Sequence, residues 1–205
     1  MPRTSSDTRT SILQVALQLF LQKGYKAVSY ENITRKTRLS KGAIYHYFPS
    51  KQDLLVQTFE FLLEAARQRD TAALVAEVRD IPSFKRMYLR MKARQLKSFY
   101  SRLNQKQLQF NKVLFFIEAI NEYHRLGEIV ADLLRQEVDF LRRCMEELKK
   151  HRLIPAGKDP ESLAQGLFWM LDGAENMLYI RKSRDQARDY LALYKKTLDL
   201  FFNLI

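Results

Sequence analysis

Cysteine is nearly absent from the chain: Cys144 is the only one among 205 residues. A single cysteine excludes an intramolecular disulfide and a cysteine-rich zinc site. Glycine and proline are also scarce, at 6 and 5 residues, which fits long helices better than many turns. No stretch reaches about eighteen uninterrupted apolar residues, so the sequence predicts no membrane span.

The sequence signatures of common enzymes are missing as well. There is no G-x-S-x-G elbow, no phosphate-binding loop and no dinucleotide fingerprint. The histidines His46, His124 and His151 stand far apart and lack the spacing of metal ligands. We therefore predict that the protein is not an enzyme, and we predict no catalytic residue, no metal and no cofactor. The polar start, MPRTSSDTRT, carries no apolar signal region, and we expect a cytoplasmic protein.

Positive charge is what the chain has in excess. It holds 35 basic and 23 acidic residues, a formal net charge of +12. Such a surplus favours an anionic partner, such as nucleic acid, anionic lipid or an acidic ligand, although it also serves solubility. The apolar content of 46% is sufficient for a folded core.

The hydrophobic periodicity predicts an all-α fold. A first helix around Ile12 to Phe20 ends at Gly24, where a left-handed cap belongs. Ser29, Ser40 and Ser50 are suited to cap the next three helices. The later helices are predicted over about 83–103, 107–117, 121–150 and 160–180, with a last one near the C-terminus.

The stretch LSKGAIYHYFPSKQDLL, residues 39–55, points to DNA. The second and third helices are joined by three residues, which is the helix-turn-helix pattern. In that motif the N-terminal residues of the second helix meet base edges in the major groove. Lys41 can donate to guanine, while Gly42 and Ala43 permit a close approach. The hydroxyl and imidazole groups that follow can reach phosphates, and Lys51 begins another helix.

Three segments resemble the TetR family of one-component transcriptional regulators: ILQVALQLFLQKGY, VSYENIT and LSKGAIYHYFPSKQDLL. The resemblance covers roughly residues 8–60 and departs in the turn, where Thr34, Thr37 and Arg38 replace the small residues usual there. LFWMLDGAENMLYI is similar to the family's penultimate helix. The resemblance implies DNA contacts from these residues: Ser29, Tyr30, Ser40, Lys41, Gly42, Ala43, Tyr45, His46, Tyr47 and Lys51.

The family's architecture implies an all-helical homodimer. A three-helix DNA-binding domain would occupy 1–49, and a larger helical domain for effector binding and dimerisation would occupy 50–205, with the helix from Ser50 linking the two. The implied function is a ligand-responsive regulator, a repressor released from a palindromic double-stranded DNA operator by a small-molecule effector. Dimerisation through the last two helices would use these residues: Leu163, Gly166, Leu167, Met170, Gly173, Ala174, Leu198, Phe201 and Phe202.

The effector is the least defined part of this prediction. Aromatic and polar residues of the later helices could line a pocket: Phe99, Phe110, Phe115, Phe116, Asn121, Tyr123, His124, Phe168, Trp169, Asp172 and Asn176. The same residues could equally be core. Segment 81–117 holds nine basic residues and no acidic one, while the following helix is acidic. The two segments could pair across the surface, or the basic one could hold an anionic effector.

Two other classes of protein compete with a regulator. A helical adaptor could keep the fold and the dimer but lack specific DNA binding. Intact Lys41, Tyr45 and Lys51 argue against that reading. An enzyme built from scattered residues would need turnover that survives loss of Lys41 and Tyr45.

Overall fold

The computed structural model describes residues 5–67, 69–103, 112–181 and 186–205. Over this part of the chain there are ten α-helices and no strand, which confirms the all-α prediction. The helices are α1 (Ser5–Lys23), α2 (Tyr30–Thr37), α3 (Lys41–Tyr47), α4 (Lys51–Arg67), α5 (Thr71–Ala76), α6 (Ile81–Leu103), α7 (Lys112–Glu122), α8 (Arg125–Lys150), α9 (Pro160–Arg181) and α10 (Gln186–Leu204). Within the described ranges, no helix is long and apolar enough to cross a membrane.

The predicted caps are present at the first four helices. Gly24 ends α1 with a φ of +81°, and its amide donates to the carbonyl of Phe20 at 2.9 Å. The Ser29 side chain caps α2, and the Ser40 side chain caps α3. The Ser50 hydroxyl accepts from the amide of Asp53 at 2.9 Å and caps α4. Local residue chemistry therefore fixes where these helices begin and end.

The prediction of the middle helices was wrong at one boundary. It broke the chain after Ile117, whereas α7 continues to Glu122 and α8 begins at Arg125. The amide of Tyr123 still donates to the carbonyl of Ala119, and the next turn opens only at His124. No glycine or proline marks this break, so no local signal was available to find it. The short helix α5, capped by Asp70, was also not predicted.

The described residues fall into two compact units. The first draws on 1–65 and 98–129, and the second on 66–97 and 130–205. The predicted boundary at residue 49 separates two functions, which this division by compactness does not test. It stays a prediction.

Aromatic rings form the centre of the first unit. Phe20 of α1 stacks on Phe115 of α7 with ring centroids 5.8 Å apart. Phe59 of α4 packs against Phe115 at 5.9 Å and against Phe116 at 4.9 Å. Phe20, Phe59 and Phe115 are fully buried. Helix α7 thus shares an aromatic core with α1 and α4.

The second unit has a larger apolar core with one buried ionic group. Phe84, Phe140, Leu167 and Leu198 belong to this core and are fully buried. Beside it, the carboxylate of Glu137 pairs with Arg69 and Lys92 and accepts a hydrogen bond from the Tyr88 hydroxyl at 3.0 Å. Burial by itself would raise the pKa of Glu137, but the two cations outweigh it and lower that pKa to about 2.

The basic segment finds its acidic partners on several elements. Lys92 reaches the following acidic helix through Glu137, at 3.2 Å. Lys85 instead pairs with Asp199 at 2.8 Å, and Arg102 with Glu64 at 2.9 Å. Arg90 pairs with Glu77. The predicted pairing between neighbouring segments therefore holds for Lys92, whereas these other bases pair with acids elsewhere in their own unit.

Candidate nucleic-acid interface

Helix α2 is held by a reciprocal cap. The Ser29 hydroxyl accepts from the amide of Asn32, and the Asn32 side chain accepts from the amide of Ser29 at 2.9 Å. At the other end Arg38 takes a left-handed conformation, with φ of 60°, and its amide donates to the carbonyl of Thr34 at 2.8 Å. The buried Thr37 hydroxyl donates to the carbonyl of Ile33 at 2.8 Å. The turn therefore forms without the small residues usual in the family.

Helix α3 separates an inner face from an outer face within seven residues. Ile44 and the following Phe48 are fully buried and anchor the helix in the core of the first unit. Lys41 and Gly42 are exposed, and Tyr45 is 41% exposed. A Cβ added to Gly42 would meet no atom within 4 Å. The outer face is thus free of contacts that would explain a glycine at this position.

The outer face of α3 is supported by ring stacking between Tyr30 and Tyr45. Tyr30 stacks on Tyr45 with centroids 4.5 Å apart, and the Tyr30 hydroxyl donates to the carbonyl of Phe48 at 3.0 Å. Tyr30 is only 8% exposed, and burial is the main cause that raises its pKa to about 12. The predicted contact of Tyr30 with DNA stays a prediction, and the burial of its side chain does not favour it. The ring positions Tyr45, and the hydroxyl is already used inside the protein.

An ion pair sits at the start of α3. The Lys41 amine lies 3.2 Å from the Glu31 carboxylate of α2, and both side chains are more than half exposed. Hydrogen bonds from the Ser29 side chain, the Glu31 backbone and Lys41 lower the pKa of the Glu31 carboxyl to about 2. The same pair raises the pKa of Lys41. Glu31 therefore stays ionised next to the cation that is expected to meet the bases.

Lys51 is tethered where α4 begins. Its amine lies 4.3 Å above the ring of Tyr25 and donates to the carbonyl of Lys26 at 3.3 Å. Partial burial lowers its pKa. Lys51, Lys41 and Lys26 border one concavity of about 300 Å³, together with Glu31. Three cations around one acid can receive a phosphate oxygen.

The remaining predicted DNA contacts also lie in the first unit. His46 is exposed and packs edge-on to Tyr47. The Tyr47 hydroxyl shares a hydrogen bond of 3.1 Å with the hydroxyl of Ser5. The Ser40 hydroxyl accepts a hydrogen bond from the amide of Ala43 at 3.1 Å. Sequence reasoning missed Lys26, although its basic side chain three residues before the Ser29 cap was a usable signal.

The predicted effector residues are spread over both units. Phe99, Phe115, Phe116, Asn121, Tyr123 and His124 lie in the first unit, and Phe168, Trp169, Asp172 and Asn176 in the second. Phe110 lies outside the described residues. Phe115 is a core residue, since it is fully buried between Phe20 and Phe59. Asn176 donates to Asp172 at 3.0 Å, and His124 is exposed.

The predicted dimer residues divide between an inner and an outer face. Leu163, Leu167, Leu198 and Phe201 are buried in the core of the second unit, and their predicted role in the partner contact stays a prediction. Both helices carry apolar residues on more than one face, and periodicity could not tell which face points inward. Met170, Ala174 and Phe202 are half-buried.

The outer face of α9 keeps the other predicted residues. Gly166 and Gly173 are exposed, and a Cβ on either would meet nothing within 4 Å. Trp169 is 66% exposed and Met177 46% exposed on the same helix. Trp169 also borders a groove of about 530 Å³ in the second unit, beside Leu134. Trp169 and Met177 thus leave apolar surface exposed on α9.

The segment that carries α2 and α3 is similar in sequence to known proteins. Residues 12–58 match the family model described as bacterial regulatory proteins, tetR family. The N-terminal part of the chain is therefore similar to regulators of the TetR family. The matched segment carries most of α1, all of α2 and α3 with their caps, and about the first half of α4.

Two curated relatives and one solved structure extend the comparison. An uncharacterized HTH-type transcriptional regulator of Bacillus subtilis, YuxN, is 46% identical over 50 residues, covering 24% of this chain and 17% of that protein. The HTH-type transcriptional regulator BetI of Rhizobium meliloti is 28% identical over 193 residues, covering 91% of this chain and 84% of that protein. A transcriptional regulator from Saccharomonospora viridis, solved in complex with choline, has a TM-score of 0.69 at 18% identity and covers 97% of both chains.

The extent of these matches differs along the chain. Several relatives share only the N-terminal part, and the alignments span 17% to 37% of their own lengths. The matched solved structure shows the fold of the whole chain rather than its ligand. The family is one of transcriptional regulators and not of enzymes.

Proposed function

We propose that the protein is a DNA-binding transcriptional regulator: a repressor that binds a palindromic operator and leaves it when a small-molecule effector binds. The observation that carries the proposal is the open space beside Gly42 in the first turn of α3. Glycine in a helix costs up to about 1 kcal/mol relative to alanine. Among the described residues, no atom outside its own helix backbone and chain neighbours lies within 4 Å of a Cβ built at this position. A close approach by a molecule outside the chain accounts for the glycine.

The neighbours of Gly42 fit a DNA duplex as that molecule. Lys41, at the first turn of α3, can donate to a guanine edge in the major groove. Tyr45 stands one turn later, braced by Tyr30, and its exposed edge can reach a phosphate. Lys51 and Lys26 offer further donors around the concavity beside Glu31. The contacts combine one base-reading lysine with several that hold the backbone.

A homodimer is part of the proposal. Two copies of α3 must lie about 34–36 Å apart, or a multiple of that, to enter successive major grooves on one side of the duplex. The outer face of α9 supports such an assembly. Gly166 and Gly173 permit a close helix approach there, and Trp169 and Met177 supply apolar surface.

Effector release needs only a modest coupling between sites, on the order of 1–3 kcal/mol. The helix that begins at Lys51 runs on to Arg67, and we propose it as the link between DNA-binding and effector-binding functions. A related fold that was solved with choline supports a small-molecule effector without identifying the one used here. A regulator of this kind acts in the cytoplasm, where its operator is.

Fluorescence anisotropy with the DNA upstream of the protein's own gene tests the proposal. We expect tight binding that falls steeply as salt rises, because phosphate contacts release counterions. The double variant Lys41→Ala/Tyr45→Phe should lose it, and Tyr45→Phe keeps the ring that stacks on Tyr30. Lys158→Ala, an exposed lysine of the second unit, is the matched control.

The opposite DNA-binding result is expected if the protein is a helical adaptor. It would show no preference for any duplex over random DNA, and the double variant would behave like the wild type. Binding that survives loss of Lys41 and Tyr45 would therefore count against the regulator.

A further inference from the structure

Four arginines surround one cavity in the second unit. The cavity has a volume of about 430 Å³ and is bordered by Arg67, Arg69, Arg135 and Arg143. Thr71 lies between them, and Asp139 is the one acidic residue on the wall. These residues come from the end of α4, the start of α5 and the middle of α8. None of the predicted effector residues that the structure describes lines this cavity.

Two of the arginines are fixed in place by the fold. Arg69 pairs with Glu137, and these side chains are only 11% and 13% exposed. Glu137 is held in turn by Lys92 and by the Tyr88 hydroxyl. Arg143 donates to the Thr71 hydroxyl at 2.9 Å. These contacts therefore fix the orientation of the Arg69 and Arg143 guanidinium groups.

The charge on the cavity wall is not balanced. Nε of Arg143 is buried and 3.1 Å from Asp139, but it lacks the geometry of a hydrogen bond with that carboxylate. Asp139 also pairs with Arg142. Arg135 pairs with Asp132 in an exposed contact. Arg67 is exposed, and within the described ranges it makes no ion pair or hydrogen bond.

We propose that this arginine cavity binds a small molecule through a group with at least two negative charges, either a phosphoryl group or a set of carboxylates. Guanidinium forks match such oxygens in pairs, which a point charge does not. The volume lies within the range of small-ligand sites. The Thr71 hydroxyl accepts from Arg143, so its own proton is left to donate to an anionic oxygen.

A solvated charged surface is the alternative, and the fixed residues argue against it. Solvated arginines need no buried support, whereas Arg69 is held by a carboxylate that two other groups, Lys92 and the Tyr88 hydroxyl, also contact. That the ligand acts as an effector rests on the proposed function. That the cavity binds an anion does not.

Isothermal titration calorimetry of the full chain without DNA tests the cavity. The probes are inorganic pyrophosphate and citrate, with acetate as the single-charge control and erythritol as the neutral one. We expect one pyrophosphate or citrate per chain, with an affinity that falls as salt rises. Arg67→Gln and Arg135→Gln should each weaken binding about tenfold, the effect of losing one hydrogen bond to a charged group.

Two control variants guard the interpretation. Arg79→Gln and Lys158→Ala each remove an exposed cation of the same unit that does not line the cavity. Both should bind the probes like the wild type. A preference for pyrophosphate over citrate would indicate a phosphoryl ligand, and the reverse a polycarboxylate.

Three results would overturn the proposal. They are no binding of either probe, equal binding of acetate, or equal weakening in Arg79→Gln and Arg67→Gln. Loss of operator affinity in Arg67→Gln, with no probe bound by the wild type, would assign the cavity to nucleic acid instead. Probe binding by a chain that ignores operator DNA would uphold the cavity and contradict the proposed function, so the two failures are distinguishable.

Discussion

Glu31 holds Lys41 at 3.2 Å, so the lysine expected to meet the DNA bases is paired with a carboxylate in the free protein. Both groups are exposed, and water screens the pair. A DNA duplex brings phosphates into the same space, and the carboxylate repels them. Glu31 therefore opposes general attraction to DNA while leaving Lys41 available to a matching base.

The first prediction concerns this carboxylate. Glu31→Gln keeps the shape of the side chain and removes its charge, so affinity for random duplex DNA should rise roughly threefold at low salt, about the effect of one surface charge. Preference for the operator over random DNA should fall. Anisotropy titrations with both duplexes measure it, and Glu128→Gln in α8 is the exposed control. Weaker binding to random DNA would contradict the role given to Glu31.

The second prediction concerns the buried carboxylate of the second unit. Glu137→Gln leaves Arg69 and Lys92 without their counter-charge in a mostly buried place, so unfolding free energy should drop by about 3 kcal/mol. Glu77→Gln breaks an exposed pair with Arg90 and should cost less than about 1 kcal/mol. Urea denaturation of both variants measures the difference. Equal losses would show that burial of the Glu137 pair does not matter.

The third prediction is the pH dependence of stability. The pKa of Glu137 is about 2 in the folded chain against an ordinary 4.5, so the unfolded chain takes up the proton first as pH falls. The stability due to this group is fully present above pH 4.5 and should be lost between about 4.5 and 2. Denaturation midpoints across that range measure it. Glu137→Gln should show a shallower decline, and an unchanged slope would contradict the assignment.

The fourth prediction concerns the end of α1. Gly24 has φ of +81°, and a Cβ there would lie 2.7 Å from the Glu118 carboxylate. Gly24→Ala should therefore destabilise the chain by about 1–2 kcal/mol, mainly through the left-handed backbone. Gly157→Ala, where a Cβ meets nothing and φ is ordinary, should stay within about 0.5 kcal/mol of wild type. A similar loss in both variants would remove the special role of Gly24.

The fifth prediction tests the dimer face. Gly173→Glu puts a charge on the outer face of α9, where a Cβ would meet none of the described atoms within 4 Å. The chain should stay folded, while the dimer dissociates to monomers in sedimentation velocity. Gly157→Glu, in the loop before α9, should remain dimeric. A wild type that sediments as a monomer, or a dimer untouched by Gly173→Glu, would contradict the proposed assembly.

Sequence reasoning succeeded where the determining chemistry is local. The helix starts at Ser29, Ser40 and Ser50 and the stop at Gly24 depend on residues within a few positions, and the structure confirms all four. The same holds for Pro160 behind its cap Asp159, whose carboxylate accepts from the amide of Ser162 at 2.9 Å. Caps and turns are read from neighbours alone.

Features that depend on packing between distant residues could not be predicted from the sequence. Leu167 and Leu198 look like a dimer seam in sequence, yet they are buried within their own unit. Tyr30 looks like a DNA contact, yet its ring supports Tyr45 from inside. The arginine cavity joins Arg67, Arg69 and Thr71 with residues of α8, and no sequence pattern predicts that they meet. Distant contacts of this kind are set by the fold.

Nuclease protection of the DNA upstream of the gene tests the central claim most directly. The account predicts a protected region with two inverted half-sites centred about one helical turn, or a multiple of it, apart. Protection should disappear in Lys41→Ala and persist in Lys158→Ala. A single unpaired site, or protection that Lys41→Ala leaves intact, would contradict a dimer that reads DNA through α3.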